Sequence, residues 1–247
     1  MNLPFEELSN HHDISVYDTT ELFGEKGNFR VMQFSNTAMQ GAIDLNNPER
    51  ILFEYPRAII HLMEFNSPSF EDVFMIGLGI GTMASYFLEK RVKIAEIDAK
   101  VVELSKSCFG YQKDNVVVGD GRQILENEKP HTYDYIILDA FTDKGTPIHL
   151  TSKEFFKITR KKLDSAGSII MNLIGKGKND KLINAIYTTL SKEYAYTKVF
   201  SLPSEGVADR LNLIIIGRNQ PIGAQIRHMA GFTENYIGQG HIIMDSD

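Results

Sequence analysis

One cysteine in 247 residues, Cys108, leaves no internal disulfide to form, and a reducing compartment is the simplest inference. No apolar run approaches the roughly 20 residues that span a bilayer, so no membrane association is expected. Basic excess is missing too. The formal net charge is -6, the opposite of what a phosphate-backbone binder needs, and no nucleic-acid partner is expected. The opening MNLPFEEL lacks the basic and apolar regions of a secretion signal, which points to the cytoplasm. No repeat and no low-complexity segment breaks the chain. At 43% hydrophobic and 23% charged residues, the composition is that of an ordinary soluble globular protein.

The pattern divides the chain at residues 1–65, 66–220 and 221–247. In the first stretch Phe29–Phe34 and Ala38–Leu45 have the length and period of strands, with Ser35-Asn36-Thr37 as a hairpin turn. Arg57–Glu64 reads as a helix following Pro56. From Val73 on, apolar strands alternate with helices. The strands are Val73–Ile76, Val92–Ile97, Val116–Val118, Tyr135–Leu138, Ser168–Leu173, Ala195–Phe200 and Leu211–Gly217. The helices are Thr82–Lys90, Lys100–Ser107 behind an Asp98 cap, Arg122–Glu128, Lys153–Leu163 and Lys181–Leu190. Such alternation predicts an α/β fold with a doubly wound, mainly parallel Rossmann-like sheet carrying a small β-rich N-terminal extension. Ligand should sit at the carboxyl ends of the strands. The tail from Pro221 to Asp247 is weakly periodic and fits either a short helix or a mobile flap.

The chemistry concentrates at strand ends. Gly77-Leu78-Gly79-Ile80-Gly81 follows the first buried strand, where residues without a Cβ let backbone approach a ligand closely. Glu96 ends the next strand, roughly 20 residues on, where an acid can accept bonds from ribose hydroxyls. Together they indicate an adenosine-type ligand. NAD fits poorly: its fingerprint wants a third Gly or Ala at the position of Thr82, and the tighter spacing here is closer to turns that bind S-adenosylmethionine. Asp120, between Gly119 and Gly121, follows the third strand and could bond an adenine amino group. Asp139 ends the fourth, over the reacting end of such a ligand, as a proton acceptor for an attacking amine or as a cap for the next loop.

These motifs (GLGIG, AEID, VVGDG, YDYIILDAF and the HLTSKEFF that follows) resemble those of the spermidine synthase, or polyamine aminopropyltransferase, family. That family lies within the class I S-adenosylmethionine-dependent fold. The likeness runs from about Gln40 to Gly217. It implies a transferase of polyamine biosynthesis that moves an aminopropyl group from decarboxylated S-adenosylmethionine to a small-molecule amine, working as a homodimer without a metal. A methyltransferase using S-adenosylmethionine itself, and a ligand-binding protein without turnover, are the alternatives. By resemblance, Gly77, Gly79 and Gly81 hold the methionine moiety, Glu96 the ribose, and Asp120 with Gly121 the adenine. Asp139 is the acid/base. Gln40 and His61 also contact the cofactor, and Tyr55, Asp139 and Asp143 contact the amine, Tyr55 serving catalysis as well.

The sequence departs from the family where Ile80 and Thr142 replace acids and Pro56 replaces a polar residue after the tyrosine. The cofactor half of the pattern is intact, and the polyamine half is eroded. Outside these motifs, His11-His12-Asp13 fits a solvated turn better than a metal site. His149 and His241 carry no specific signal, and Lys176 and Lys178 read as a solvated loop.

Overall fold

The structure is a computed structural model that describes residues 4–8, 13–34, 39–141, 145–175, 180–203 and 211–246. Strands β1 (Pro4–Leu8), β2 (Asp13–Leu22), β3 (Glu25–Phe34) and β4 (Met39–Asp44) pair antiparallel in that order. Sequence pattern finds β3 and β4 but passes over β2. Only Ile14 and Val16 of β2 alternate inward before Asp18, Thr20 and Glu21 break the apolar period. Asp18 is accommodated because it stands opposite Arg30 in the ladder, with its carboxylate 2.8 Å from the Arg30 Nε. The expected hairpin turn at 35–37 lies outside the described residues, as do His11 and His12.

Helix α1 (Glu54–Asn66) starts before the expected Arg57, with Pro56 inside its first turn. A proline there is harmless, because the first-turn N–H groups have no partner within the helix. Ala58, Ile59, Leu62 and Met63 form its buried face.

The central sheet comprises β5 (Asp72–Ile76), β6 (Arg91–Glu96), β7 (Val116–Val118), β8 (Tyr133–Leu138), β9 (Leu163–Gly175), β10 (Tyr196–Ser201), β11 (Leu211–Arg218) and β12 (Thr233–Asn235). Their order is β12-β10-β11-β9-β8-β5-β6-β7. The run β9-β8-β5-β6-β7 is parallel, and β11, β10 and β12 close the other edge antiparallel. Between the strands lie α2 (Thr82–Tyr86), α3 (Ala99–Phe109), α4 (Gly121–Glu126), α5 (Lys153–Lys162) and α6 (Lys181–Leu190).

Alternation along each strand feeds two cores. Val73 and Met75 face α1 and α3, whereas Phe74 and Ile76 face the side of α5 and α6. Each such fully buried side chain contributes on the order of 1.5–3 kcal/mol. A sheet that is apolar on both faces must be covered on both, which is the doubly wound arrangement expected from sequence.

In the central sheet region, two elements differ most in extent from expectation. The helix expected over Thr82–Lys90 stops at Tyr86: Phe87 leaves helical geometry (φ -91, ψ 56) to bury its ring edge-on against Phe70, and the chain turns into β6. The strand expected over Ser168–Leu173 runs on to Gly175, because β11 pairs with it from Ser168 to Gly175, and starts at Leu163, which pairs with Tyr133 of β8. Residues 221–246 add β12 to the sheet edge, bury Met229 and Phe232, and end with Asp245 gripped by the Arg122 guanidinium at 2.7 Å. Among the described residues no helix is long and apolar enough to cross a membrane.

Candidate active site

The carboxyl ends of β5, β6, β7, β8 and β9 open into a cavity of about 720 Å³, roofed by the N-terminal sheet. Gln40, Tyr55, Gly77, Gly79, Glu96, Asp120, Gly121 and Asp139 all lie on its wall. Gly81 and His61 do not. Gly81 caps α2 with φ +85 and turns its α-carbon toward the Tyr111 ring. The expected cofactor contact of His61 is corrected by helix geometry. Six residues along α1 from Tyr55 is a rotation of about 600°, which carries the imidazole to another face. There its Nε2 accepts from the Gln225 N–H at 3.0 Å, and the ring lies 5.5 Å from those of Phe65 and His228. Asp143, expected at the amine, lies outside the described residues. No cluster of three or more metal-ligating side chains occurs among the described residues.

The glycine turn has a structural reason beyond ligand approach. Gly77 takes φ +100, and a Cβ on it would stand 2.0 Å from the Asp139 carbonyl oxygen. That glycine lets the ends of β5 and β8 converge, with the Asp139 N–H donating to the Ile76 carbonyl at 2.9 Å. Gly79, at φ +55, lies on the cavity wall, where a Cβ would make only ordinary contact with the Gln40 carbonyl at 3.5 Å. Ile80 is buried and packs on Gly41 of β4, bordering a void of about 20 Å³ shared with Tyr55 and Asp139.

Glu96, 7% exposed, holds this turn in shape. One oxygen accepts from Leu78 N–H at 2.8 Å and the other from Asp98 N–H at 3.0 Å. Burial raises its pKa, opposed by those backbone bonds. Beside it, Asp98 caps α3 through one oxygen (2.9 Å to Lys100 N–H), while its other oxygen, Oδ2, is buried without a partner. A buried, unsatisfied carboxylate oxygen on a cavity wall is costly unless a donor arrives, and a vicinal diol supplies two donors. This pair of acids fits a ribose. Asp120 caps α4 by accepting from Gln123 N–H at 2.9 Å, and its other oxygen lies 3.0 Å from His149 Nε2.

Asp139 sits half-buried at the centre. Asn172 of β9 donates to its Oδ1 at 2.8 Å, and Asn212 of β11 donates to Asn172 Oδ1 at 2.9 Å. The Tyr55 hydroxyl interacts with the same carboxylate. Burial raises the Asp139 pKa against those two interactions, moving it toward a useful proton acceptor. Burial, with the charge and bond of Asp139 behind it, holds the Tyr55 hydroxyl well above its ordinary value, so Tyr55 stays a donor. The arrangement can orient an amine and accept its proton.

Asp98, His149, Asn172 and Asn212 are cavity residues to which sequence reasoning gives no ligand role. For the asparagines a signal existed: each is the lone amide in an otherwise apolar strand (SIIMNLIG and LNLIIIG). A buried polar residue in such a run needs a partner.

Comparison with known proteins follows the same lines. The family model described as spermine/spermidine synthase domain matches residues 52–203. A polyamine aminopropyltransferase of Vibrio vulnificus is 30% identical over 76% of this chain and 67% of its own. A polyamine aminopropyltransferase of Neisseria meningitidis serogroup A is 24% identical over 60% of this chain and 59% of its own. The chain thus matches about three-fifths to two-thirds of these relatives' length. A probable spermidine synthase from Corynebacterium glutamicum shares the fold with a TM-score of 0.77, at 19% identity over 90% of this chain and 82% of that one.

Proposed function

The chain belongs to the spermine/spermidine synthase family, and from that premise we propose that it transfers an aminopropyl group from decarboxylated S-adenosylmethionine to an amine. The observation that carries the reading is Asp139, fixed by Tyr55 and Asn172 where the acid-lined end of the cavity meets its apolar end. Glu96 and Asp98 hold the ribose hydroxyls and Asp120 the adenine amino group, beside Gly121. The cavity wall at Gly79, Gln40 and Tyr55 receives the sulfonium side.

The bound nucleoside supplies an electrophilic methylene and a neutral thioether leaving group. The chain supplies placement and proton transfer. Asp139 accepts the proton that a protonated amine must lose before its lone pair attacks. Tyr55 and Asn172 orient the carboxylate so that one lobe points at the amine. The polyamine aminopropyltransferase relatives favour this reaction over methyl transfer. A homodimeric, cytoplasmic enzyme completes the reading.

Incubation with decarboxylated or intact S-adenosylmethionine and an amine panel tests it. Methylthioadenosine as the nucleoside product is the expected result. S-adenosylhomocysteine would replace it with methyl transfer, and neither product would remove turnover altogether.

A further inference from the structure

Asn172 of β9 and Asn212 of β11 stand on one face of the central sheet. Asn172 pairs with Ile214 and Asn212 with Ile174, which makes the two amides diagonal neighbours across an antiparallel ladder. Side chains in that relation reach each other. The Asn212 Nδ2 donates to the Asn172 Oδ1 at 2.9 Å, and the Asn172 Nδ2 donates to the Asp139 Oδ1 at 2.8 Å. Both amides line the cavity, Asn172 buried and Asn212 half-buried. Strand packing does not call for an amide at 212, since Leu213 to Ile216 beside it are all apolar and buried.

A primary amide has a donor end and an acceptor end of nearly equal size, so shape does not decide which end faces a neighbour. Its partners decide. With its amino group forward, Asn172 gives the Asp139 carboxylate a donor. With its carbonyl forward, it would set one acceptor oxygen against another, an arrangement that only a protonated Asp139 would satisfy. The Asn212 amino group selects between the two. It pairs with the Asn172 carbonyl in the first orientation, and in the second it would meet another amino group.

Asn172 and Tyr55 are the side chains among the described residues that bear on the Asp139 carboxyl. Both favour its ionised form against the burial that opposes it. Linked donors also polarise one another, so the bond at the far end of Asn172 strengthens the one at Asp139.

We propose that Asn212 is a positioning residue: it fixes the polarity of the Asn172 amide and through it keeps Asp139 ionised and aimed at the amine. This rests on the transfer reading above, and adds a residue that acts through Asn172 rather than on the substrate.

Carboxyl-carbon NMR titration of the full chain tests the proposal without turnover, the Asp139 signal being identified by its loss in Asp139→Asn. Asn212→Leu keeps the volume and removes the donor, and should raise the Asp139 midpoint by about half a pH unit or more. Asn212→Ala, a second variant without a donor, should give the same rise. Asn212→Gln restores an amino group and should return the midpoint toward that of wild type. In turnover with putrescine, the acidic limb of the kcat profile should move up with the midpoint in Asn212→Leu, and KM should stay within twofold. A midpoint unmoved in Asn212→Leu and Asn212→Ala, whatever their melting temperatures, would overturn the proposal. So would a raised KM with the limb in place, which would make Asn212 a substrate contact. The expected midpoint shift, with no methylthioadenosine formed by wild type from any amine, would overturn aminopropyl transfer alone.

Discussion

Replacing Asp139 by asparagine should separate chemistry from stability, because the two depend on opposite properties of the carboxylate. The side chain is isosteric, so Asn172 can still donate to its carbonyl oxygen, now a neutral acceptor. Weakening the bond from Asn172 from charge-assisted to neutral costs about 1 kcal/mol, and the interaction with Tyr55 weakens with it. Against this stands the burial of the charge. Burial is the largest influence on Asp139 and outweighs both interactions, since its pKa is raised on balance. Folding therefore penalises the charged form relative to the unfolded chain, a penalty that uncharged asparagine does not carry.

The sign follows by linkage. Between the unfolded pKa of 3.8 and the raised folded value, the native state binds more protons than the unfolded one. Wild-type stability falls as pH rises through that window, and asparagine escapes the loss. The variant should melt no lower than wild type at pH 7, with its relative advantage vanishing below about pH 3.8. Turnover is another matter. Without a proton acceptor the amine stays protonated, and kcat should fall by roughly 10²-fold or more, about 2.7 kcal/mol of barrier. Nucleoside affinity, set by Glu96, Asp98 and Asp120, should change little. Melting temperature, calorimetric affinity and turnover read on one preparation decide it. A variant that melts several degrees lower yet keeps kcat within threefold would show that Asp139 only caps its loop.

The other expectations follow from the same geometry. Glu96→Ala removes the proposed ribose contact, the anchor of the glycine turn at Leu78 N–H and the bond to Asp98 N–H, so nucleoside affinity should drop by at least ~1.5 kcal/mol with a lower melting temperature; unchanged calorimetric affinity would refute the placement. Gly77→Ala drives a methyl to 2.0 Å from the Asp139 carbonyl and should yield little folded protein, whereas Gly79→Ala, with 3.5 Å of room, should cost only the ~1–2 kcal/mol of its left-handed backbone. Equal melting temperatures for the two variants would contradict the close approach of β5 and β8. With apolar Ile80 bordering the void beside Asp139, decarboxylated and intact S-adenosylmethionine should bind within tenfold of each other; a hundredfold preference for the decarboxylated form would show that another acid selects it.

What the sequence determined alone is whatever depends on short range. Apolar runs such as VFMI and YIIL read as buried strands because every residue in them faces a core, and the alternation with helices followed. Glu96 and Asp120 were legible as strand-end acids, and Asp98 as a cap, because capping reaches only two or three residues onward. Glycine at 77 and 79 was visible, but its separate reasons were not: a Cβ at 77 would collide with the carbonyl of Asp139, whereas one at 79 would make only ordinary contact. β2 stayed hidden because its cross-strand partner Arg30, which makes Asp18 tolerable, lies 12 residues away.

Tertiary structure alone decided what surrounds Asp139. Asn172 comes to it across 33 residues, and Asn212 to Asn172 across 40. His149 meets Asp120 across 29, so a histidine without local signal stands at the nucleoside end. Helix rotation took His61 off the cavity to bond the backbone of Gln225, 164 residues on. Period and composition record which face of an element is buried. They do not record which buried polar atom meets which, because that is set by strand order and register, and here a neighbour one strand away in the sheet is dozens of residues away in the chain.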